Sequence, residues 1–286
     1  MITPSSLSSG SKIALVAPAR KVAEDDIAFA VEYIRQRGFV PIYDERLFLS
    51  YNQFAGNDEQ RASVLQHYLD VDDIDAIMCV RGGYGTVRII DRLDFDKFMQ
   101  KPKWIVGYSD VTVLHAKMQS LGIESLHATM PINFQDNSKQ ALDTLFDALC
   151  GKEIKYDLPQ QTLDILSKMK GEIVGGNISV LYSLLGSDIF PDVEGKVLFL
   201  EDLDEYLYHI DRMMMAFQRA GIFDKIGGLI IGGLTKMHDN AIPFGMTAEE
   251  IISEKIKDKN IPTVFNFPAG HVNDNRAIIL GRRVGN

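Results

Sequence analysis

Cysteine, tryptophan and long apolar runs are all scarce in this chain of 286 residues. It has two cysteines and one tryptophan, and the cysteines, Cys79 and Cys150, lie too far apart in sequence to suggest a disulfide framework, which fits a reducing compartment. No run of about 18 apolar residues occurs, so we expect no membrane-spanning helix. The first ten residues contain neither a basic nor an apolar stretch, so we expect no signal peptide and a cytoplasmic location.

Positive charge is also in short supply. Thirty Lys and Arg residues stand against 39 Asp and Glu residues, which gives a net charge of -9. Because binding to a phosphate backbone needs clustered cations, we expect no nucleic-acid partner. No set of His, Cys or carboxylate residues has a recognised zinc or calcium spacing, so we predict no metal and no cofactor.

The chain does have a regular alternation of short apolar segments and helical patterns, which indicates an α/β fold with a parallel sheet covered on both faces. The strands of the first unit are predicted at 13–17, 40–43, 74–80, 104–107 and 124–127. Those of a second unit are predicted at 172–174, 196–200, 229–231 and 262–267. We therefore predict an N-terminal domain at 1–135, an interdomain linker at 136–170 and a C-terminal domain at 171–286.

Ser109 stands where an apolar strand ends at Gly107 and a helical pattern begins. A serine on such a sharp strand-to-helix turn lifts its hydroxyl out of the sheet, close to the free N–H groups of the helix, and this position suits a nucleophile. The full nucleophile-elbow pattern has a second glycine where this chain has Val111. The local pattern therefore also allows Ser109 to be a plain helix N-cap.

A serine nucleophile needs a base, and the base needs a group that orients it. His271, in a glycine-bounded loop after a strand, and His127, at the end of the strand that follows the Ser109 helix, are both candidate bases; a purely structural histidine is the other interpretation. Glu201 ends an apolar strand, so it is either the orienting carboxylate or the start of a solvated turn. The order Ser109, Glu201, His271 is the order found in hydrolases with an elbow serine.

The glycine-rich turn at 81–85 is predicted at the same edge of the sheet as Ser109, where ligands of parallel sheets collect. Its glycines allow backbone N–H groups to approach an oxyanion or a phosphate closely. The spacing matches neither the dinucleotide fingerprint nor the P-loop. A tight turn with no other role is equally compatible with this pattern.

Taken together, six short motifs resemble the LD-carboxypeptidases, the muramoyl-tetrapeptide carboxypeptidases of bacterial murein recycling, whose relatives include the microcin C immunity proteins. The resemblance extends from about Lys12 to Gly281. The motifs are Gly56-Asn57-Asp58-Glu59-Gln60-Arg61, Arg81-Gly82-Gly83-Tyr84-Gly85, Gly107-Tyr108-Ser109-Asp110, Gly175-Gly176-Asn177, Leu200-Glu201-Asp202 and Gly270-His271.

The resemblance implies a serine peptidase in which Ser109 is the nucleophile, His271 the general base and Glu201 its partner. It also implies an N-terminal domain similar to class I glutamine amidotransferases and a C-terminal mixed α/β domain, rich in β, that carries the acid and the base. The active site is expected between these domains, and the protein is expected to be a homodimer.

On this basis we predict release of the terminal D-alanine from murein tetrapeptides. The oxyanion is expected to be held by the N–H of Asp110 and by an N–H of Gly82 or Gly83. We assign substrate binding to Arg81 and Tyr84; Arg81 either pairs with the free carboxylate of the substrate or fixes the turn.

Two other functions stay open at this stage. One is an immunity-type hydrolase that cleaves aminoacyl-adenylate analogues with the same triad, and the other is a muropeptide-binding module without catalytic activity. A glutamine amidotransferase is disfavoured, because the elbow position holds a serine and Cys79 lies within a strand.

Overall fold

The computed structural model describes residues 1–284, which form ten strands and ten α-helices. The strands are β1 (Lys12–Val16), β2 (Val40–Ile42), β3 (Ala76–Cys79), β4 (Trp104–Gly107), β5 (Ser125–His127), β6 (Ile173–Asn177), β7 (Val197–Leu203), β8 (Gly228–Thr235), β9 (Thr263–Val264) and β10 (Ile278–Leu280). The helices are α1 (Glu24–Gln36), α2 (Asp58–Asp70), α3 (Asp96–Gln100), α4 (Thr112–Ser120), α5 (Lys139–Leu149), α6 (Gln160–Leu166), α7 (Ile178–Leu184), α8 (Leu207–Arg219), α9 (Ile222–Lys225) and α10 (Ala248–Ile256). Within residues 1–284, none of the helices combines the length and the hydrophobicity needed to span a membrane.

The first sheet contains six strands in the order β10-β5-β4-β3-β1-β2. All neighbouring strands run parallel except β10, which is antiparallel to β5. The strands are apolar throughout because both faces are covered. Along β1, Ile13 and Leu15 pack into the core on one face, whereas Ala14 and Val16 pack into the core on the other. The predicted N-terminal parallel sheet is therefore confirmed.

The second sheet contains four parallel strands in the order β6-β7-β8-β9. Its strands are again buried on both faces: Leu198 and Leu200 contribute to one core, and Val197 and Phe199 to the other. Helices accompany these strands, so the second half of the chain is a mixed α/β unit. Together the two sheets confirm the predicted α/β class.

The two sheets do not divide the chain where the predicted domains do. The predicted linker, 136–170, contains α5, which buries Leu145 and Leu149 in a core of the first sheet. Strand β10 belongs to the predicted C-terminal domain, 171–286, yet it pairs with β5 of the first sheet. The domain boundaries stay a prediction, and the last two residues of that range lie outside the described residues.

The carboxyl ends of the strands in the two sheets meet through α4. The Thr112 hydroxyl, in the first turn of α4, accepts a hydrogen bond of 3.0 Å from the N–H of Asn177, the last residue of β6. The space for a Cβ on the adjacent Gly176 is already taken by the Thr112 side chain, 2.5 Å away at Oγ1. This close contact brings the helix that follows Ser109 against the strand ends of the second sheet.

Candidate active site

Ser109 lies on a strained turn between β4 and α4. Its φ of 64° is left-handed, a conformation that costs a residue with a side chain about 1–3 kcal/mol. Gly107 makes the turn tight: its φ is 155°, and a Cβ there would come within 2.9 Å of the Val111 side chain. The N-caps of the short 3-10 turn at Ser109–Val111 and of α4 are Tyr108 and Val111, so the plain N-cap interpretation of Ser109 is wrong.

The glycine-rich turn lies directly beside this serine. A Cβ built on Gly82 would come within 3.0 Å of the Ser109 Cβ and 3.2 Å of its hydroxyl oxygen, so only a glycine leaves the hydroxyl its space. The Asp110 carboxylate joins the two turns, because it accepts a hydrogen bond of 2.8 Å from the Thr86 N–H. Burial raises the pKa of Asp110 above its usual range. The backbone of the turn and the start of the Ser109 helix are therefore fixed against each other.

Glu201, which is buried, and His271, which is partly buried, form a hydrogen-bonded pair at the carboxyl ends of the second sheet. His271 Nδ1 donates to Glu201 Oε2 over 2.6 Å, and the backbone N–H of His271 donates to the same oxygen over 3.2 Å. The Glu201 side chain is 0% exposed, so the interpretation of Glu201 as the start of a solvated turn is wrong. Gly270 permits the contact: its φ is 98°, and a Cβ there would come within 2.6 Å of Glu201 Oε2.

The two members of this pair shift each other's ionisation. Burial is the largest single influence on each group and opposes its charged form. The attraction and the hydrogen bond between the two groups, with smaller contributions from His127, Asn177 and Asp202, together outweigh it. The pKa of Glu201 is lowered overall, and the pKa of His271 is raised. The carboxylate therefore stays ionised, and Nδ1 of His271 stays protonated, which leaves Nε2 to accept a proton.

The loop that carries His271 is held from several sides. The Thr235 hydroxyl donates to the carbonyl of His271 over 3.0 Å, and the Asn275 side chain accepts the Gly270 N–H over 2.8 Å. From the segment before α5, the side-chain amide of Asn137 donates to the Asn273 carbonyl over 2.7 Å. His271 is thus positioned by contacts from both halves of the chain.

The structure brings the Ser109 turn and His271 together through Tyr108. The rings of Tyr108 and His271 are 4.7 Å apart between centroids and inclined by 57°. Among the hydrogen bonds of residues 1–284, none is formed by the Ser109 hydroxyl, so the hydrogen bond that a serine nucleophile makes to its base is not formed between Ser109 and His271. Such bonds are often long in free enzymes and shorten when substrate binds.

His127, the competing base, is completely buried behind Tyr108 and Phe199, whose rings are 5.9 and 4.9 Å from its own. Neither ring nitrogen of His127 has a hydrogen-bond partner in the part of the chain that the structure describes. Burial lowers the pKa of His127 to about 4. His115 is buried as well, and its Nε2 donates to the Gly107 carbonyl over 2.9 Å, which is a structural role.

Arg81 and Tyr84, the residues assigned to substrate binding, lie at the edge of the site. Arg81 Nη1 donates to the backbone carbonyl of Lys21 over 3.2 Å, which is a contact that fixes the turn. Tyr84 is 48% exposed, and its ring lies 6.3 Å from the ring of Phe54. Their roles in substrate binding stay predictions.

Arg61 is a structural centre of the site, although its sequence motif did not indicate a role for it. Although it is only 2% exposed, it donates hydrogen bonds to the carbonyls of Pro18, Gly56 and Gly85, and it pairs with Asp58. It thus ties the end of β1, the turn before α2 and the glycine-rich turn together. The signal in the sequence was a cation inside the Gly56–Arg61 motif, followed on the same helix by the apolar residues Ala62, Val64 and Leu65.

The sequence pattern did not indicate a role for Asp202 either. It is buried next to Glu201 and accepts hydrogen bonds from the Asn177 side chain over 2.8 Å and from the Ser179 N–H over 2.9 Å. Burial and the neighbouring Glu201 charge raise the pKa of Asp202 to about 7. Its bond to Asn177 connects the acid-bearing strand β7 to the contact between β6 and α4.

Comparison with known proteins shows similarity over almost the whole chain. The model of the LD-carboxypeptidase N-terminal domain matches residues 13–128, and that of the C-terminal domain matches residues 170–285. A Synechocystis sp. protein whose name places it among the carboxypeptidases is 30% identical, with 99% of this chain and 93% of that protein aligned. The murein tetrapeptide carboxypeptidase of Pseudomonas aeruginosa is 26% identical over 95% of this chain and 91% of its own length. The microcin C7 self-immunity protein MccF has the same fold, with a TM-score of 0.88 at 21% identity over 99% of this chain and 95% of that chain.

Proposed function

This chain belongs to the LD-carboxypeptidase family, and we propose that it is a serine-type carboxypeptidase that releases the terminal D-alanine from murein tetrapeptides. The observation that carries the proposal is the hydrogen-bonded pair of Glu201 and His271 beside the strained Ser109 turn. A serine, a base and a carboxylate that orients the base are the parts needed for acyl transfer through a covalent intermediate. The names of the relatives at 26% and 30% identity support the peptidase reading.

In the first step the Ser109 hydroxyl attacks the carbonyl carbon of the scissile amide. His271 Nε2 accepts the hydroxyl proton as the new C–O bond forms, and Glu201 stabilises the resulting imidazolium through Nδ1. The contact of 2.6 Å between Nδ1 and Oε2 supports this division of roles, because it holds the imidazole in the tautomer that leaves Nε2 free.

The negative oxygen of the tetrahedral intermediate then needs donors that are already in position. We assign the N–H of Asp110 and an N–H of Gly82 or Gly83 to this task. The Asp110 N–H belongs to the short 3-10 turn Ser109–Val111, whose first N–H groups have no acceptor within the turn. The closeness of Gly82 to the Ser109 side chain supports the second donor. Each such donor typically contributes about a hundredfold to a thousandfold in rate.

The intermediate collapses when His271 gives its proton to the amine, so the C–N bond breaks and D-alanine leaves. Water then attacks the ester on Ser109, with His271 again accepting a proton, and this releases the shortened tripeptide and restores the serine. We further propose that the enzyme acts in the cytosol as a homodimer in peptidoglycan recycling. Light scattering of the purified protein tests the dimer.

The direct test is Ser109→Ala, with Ser120→Ala as the matched control. Ser120 is an exposed serine at the end of α4 whose hydroxyl donates to the Lys117 carbonyl, so its loss leaves the site intact. We expect the Ser109→Ala protein to fold normally but to release no D-alanine from a tetrapeptide when the products are measured by mass spectrometry. Release at the rate of the control would remove Ser109 from the mechanism.

A further inference from the structure

A carboxypeptidase must recognise the free carboxylate of its substrate, and peptide geometry fixes where that carboxylate lies. In a planar trans amide, the carbonyl oxygen and the Cα of the next residue lie on the same side of the C–N bond. The carboxylate on that Cα is therefore roughly 3–5 Å from the carbonyl oxygen. A cation that binds it must stand next to the groups proposed to hold the oxyanion, Asp110 and the Gly82–Gly83 turn.

Four arginines lie around this turn, and three of them are engaged with protein groups. Arg61 donates to three backbone carbonyls, Arg88 makes a two-point contact of 2.8 and 3.0 Å with Asp58, and Arg81 donates to a backbone carbonyl over 3.2 Å. Arg20 differs from them. Among residues 1–284, nothing forms a hydrogen bond or an ion pair with its guanidinium, and the residue is exposed.

The Arg20 side chain lies across the glycine-rich turn. A Cβ built on Gly83 would come within 2.5 Å of the Arg20 Cδ and 2.9 Å of its Nε, whereas a Cβ on the neighbouring Gly82 would come within 3.0 Å of the Ser109 Cβ. The Arg20 backbone N–H also points to the Gly82 carbonyl, 3.4 Å away. One turn therefore lies between the proposed nucleophile Ser109 and the Arg20 guanidinium, and the backbone of that turn is close to both side chains.

We propose that Arg20 binds the C-terminal carboxylate of the peptide substrate and makes the enzyme specific for peptides with a free C-terminus. The guanidinium presents paired N–H donors that match the two carboxylate oxygens. Arg20 thereby takes the role first assigned to Arg81, whose guanidinium contacts the protein backbone. This inference rests on the proposed function, because the geometric argument starts from the assigned oxyanion donors.

The test compares two tetrapeptides that end in a free carboxylate or in a carboxamide. For wild type, Arg20→Ala and Arg20→Lys, kcat/KM is measured on both peptides. We expect Arg20→Ala to lose about tenfold to a hundredfold on the free acid, the loss typical of a charge-assisted pair, and nothing on the carboxamide. Arg20→Lys should retain part of the preference, because it keeps the charge but not the fork. The control is Arg35→Ala, which removes an arginine that is 57% exposed on α1.

Binding gives a second readout that does not depend on turnover. In the Ser109→Ala background, calorimetry should show weaker binding of the free-acid peptide when Arg20 is also changed to alanine, and equal binding of the carboxamide. An equal loss on both peptides, or a loss of the acid preference in Arg81→Ala instead of Arg20→Ala, would overturn the inference and leave the proposed function intact. A wild-type protein that cleaves neither peptide would overturn the proposed function, and this inference with it.

Discussion

Replacing Glu201 with glutamine tests the proposed roles of Glu201 and His271 most directly. Glu201 Oε2 accepts two hydrogen bonds from His271, one from Nδ1 at 2.6 Å and one from the backbone N–H at 3.2 Å. The variant keeps the shape of the Glu201 side chain, which is 0% exposed. It removes the charge that stabilises the imidazolium, and its amide N–H group favours the tautomer in which Nδ1 is the acceptor and Nε2 carries the proton. Nε2 can then no longer take a proton from Ser109.

The size of the effect follows from triads of the same design. Losing the carboxylate that orients the histidine of a Ser-His-Asp triad costs about 10⁴-fold in kcat. At 1.36 kcal/mol for each factor of ten, this is about 5.4 kcal/mol of transition-state stabilisation. Because Glu201 is buried behind His271, we expect the loss in kcat and little change in KM.

The pH profile separates this explanation from simple damage to the fold. In the wild type, burial is the largest single influence and disfavours the charged imidazole, but Glu201, with a smaller contribution from Asp202, outweighs it and raises the pKa of His271 above its usual 6.5. Only the neutral imidazole can act as base, so kcat/KM falls as the pH drops through this raised pKa. Without the carboxylate the pKa of His271 falls, and the acid limb of the profile should move to lower pH.

The assay is D-alanine release measured from pH 4 to pH 9 for wild type, Glu201→Gln and the control Glu205→Gln. Glu205 is four residues further on and pairs with His209 over 3.0 Å, away from His271. A Glu201→Gln enzyme with more than about a tenth of the wild-type kcat would refute the assigned role, since the expected loss is about 10⁴-fold. An acid limb that stays in place would refute the account of the His271 pKa.

Two further variants test the backbone that positions these groups. Gly270→Ala should lower activity by about a hundredfold, because its Cβ would come within 2.6 Å of Glu201 Oε2 and displace the loop that carries His271. The control Gly245→Ala, also at a positive φ but with no atom within 4 Å, should keep full activity in the same D-alanine assay. Equal activities of the two variants would show that the contact is unimportant. Arg61→Lys should lower the free energy of unfolding, measured in urea, by about 3 kcal/mol. One ammonium group cannot form hydrogen bonds to three carbonyls and to Asp58 with the geometry of the guanidinium. A change near zero would contradict the role of Arg61 in holding the loops together.

The sequence was most informative where a local pattern is repeated. Apolar strands between helices predicted the α/β class, because burial on both faces leaves a continuous apolar run that is visible without tertiary information. The break at Gly107 predicted the sharp turn at Ser109, since only a few residue types allow such a reversal. Both features depend on residues that are close together in the chain.

Features that depend on distant residues were less accessible. His127 ends one strand-like segment and His271 follows another, and only the packing of Phe199 and Tyr108 over His127 shows that it is completely buried. Arg20 has no local sequence signal. Within residues 1–284 it differs from Arg61, Arg81 and Arg88 only because their guanidinium groups are bound to protein groups and its own is not. The segment 136–170 was predicted to be a linker, but its helix α5 packs on the first sheet. The polar residues on either side of α5 hide the apolar face of the helix in the sequence.

The return of the chain to the first sheet explains how Ser109 and the Glu201–His271 pair, which belong to different sheets, can be held in register. After His271, the chain forms β10 at the edge of the first sheet, and Asn273 and Asp274 are bound on the way by Asn137 and Ser138. The base loop is therefore fixed at both ends, by Glu201 of the second sheet and by the segment before α5. Because a shift of about 1 Å can cost a hundredfold in rate, a connection through one flexible linker would not suffice. The second passage of the chain makes the alignment of His271 and Ser109 a property of the folded core.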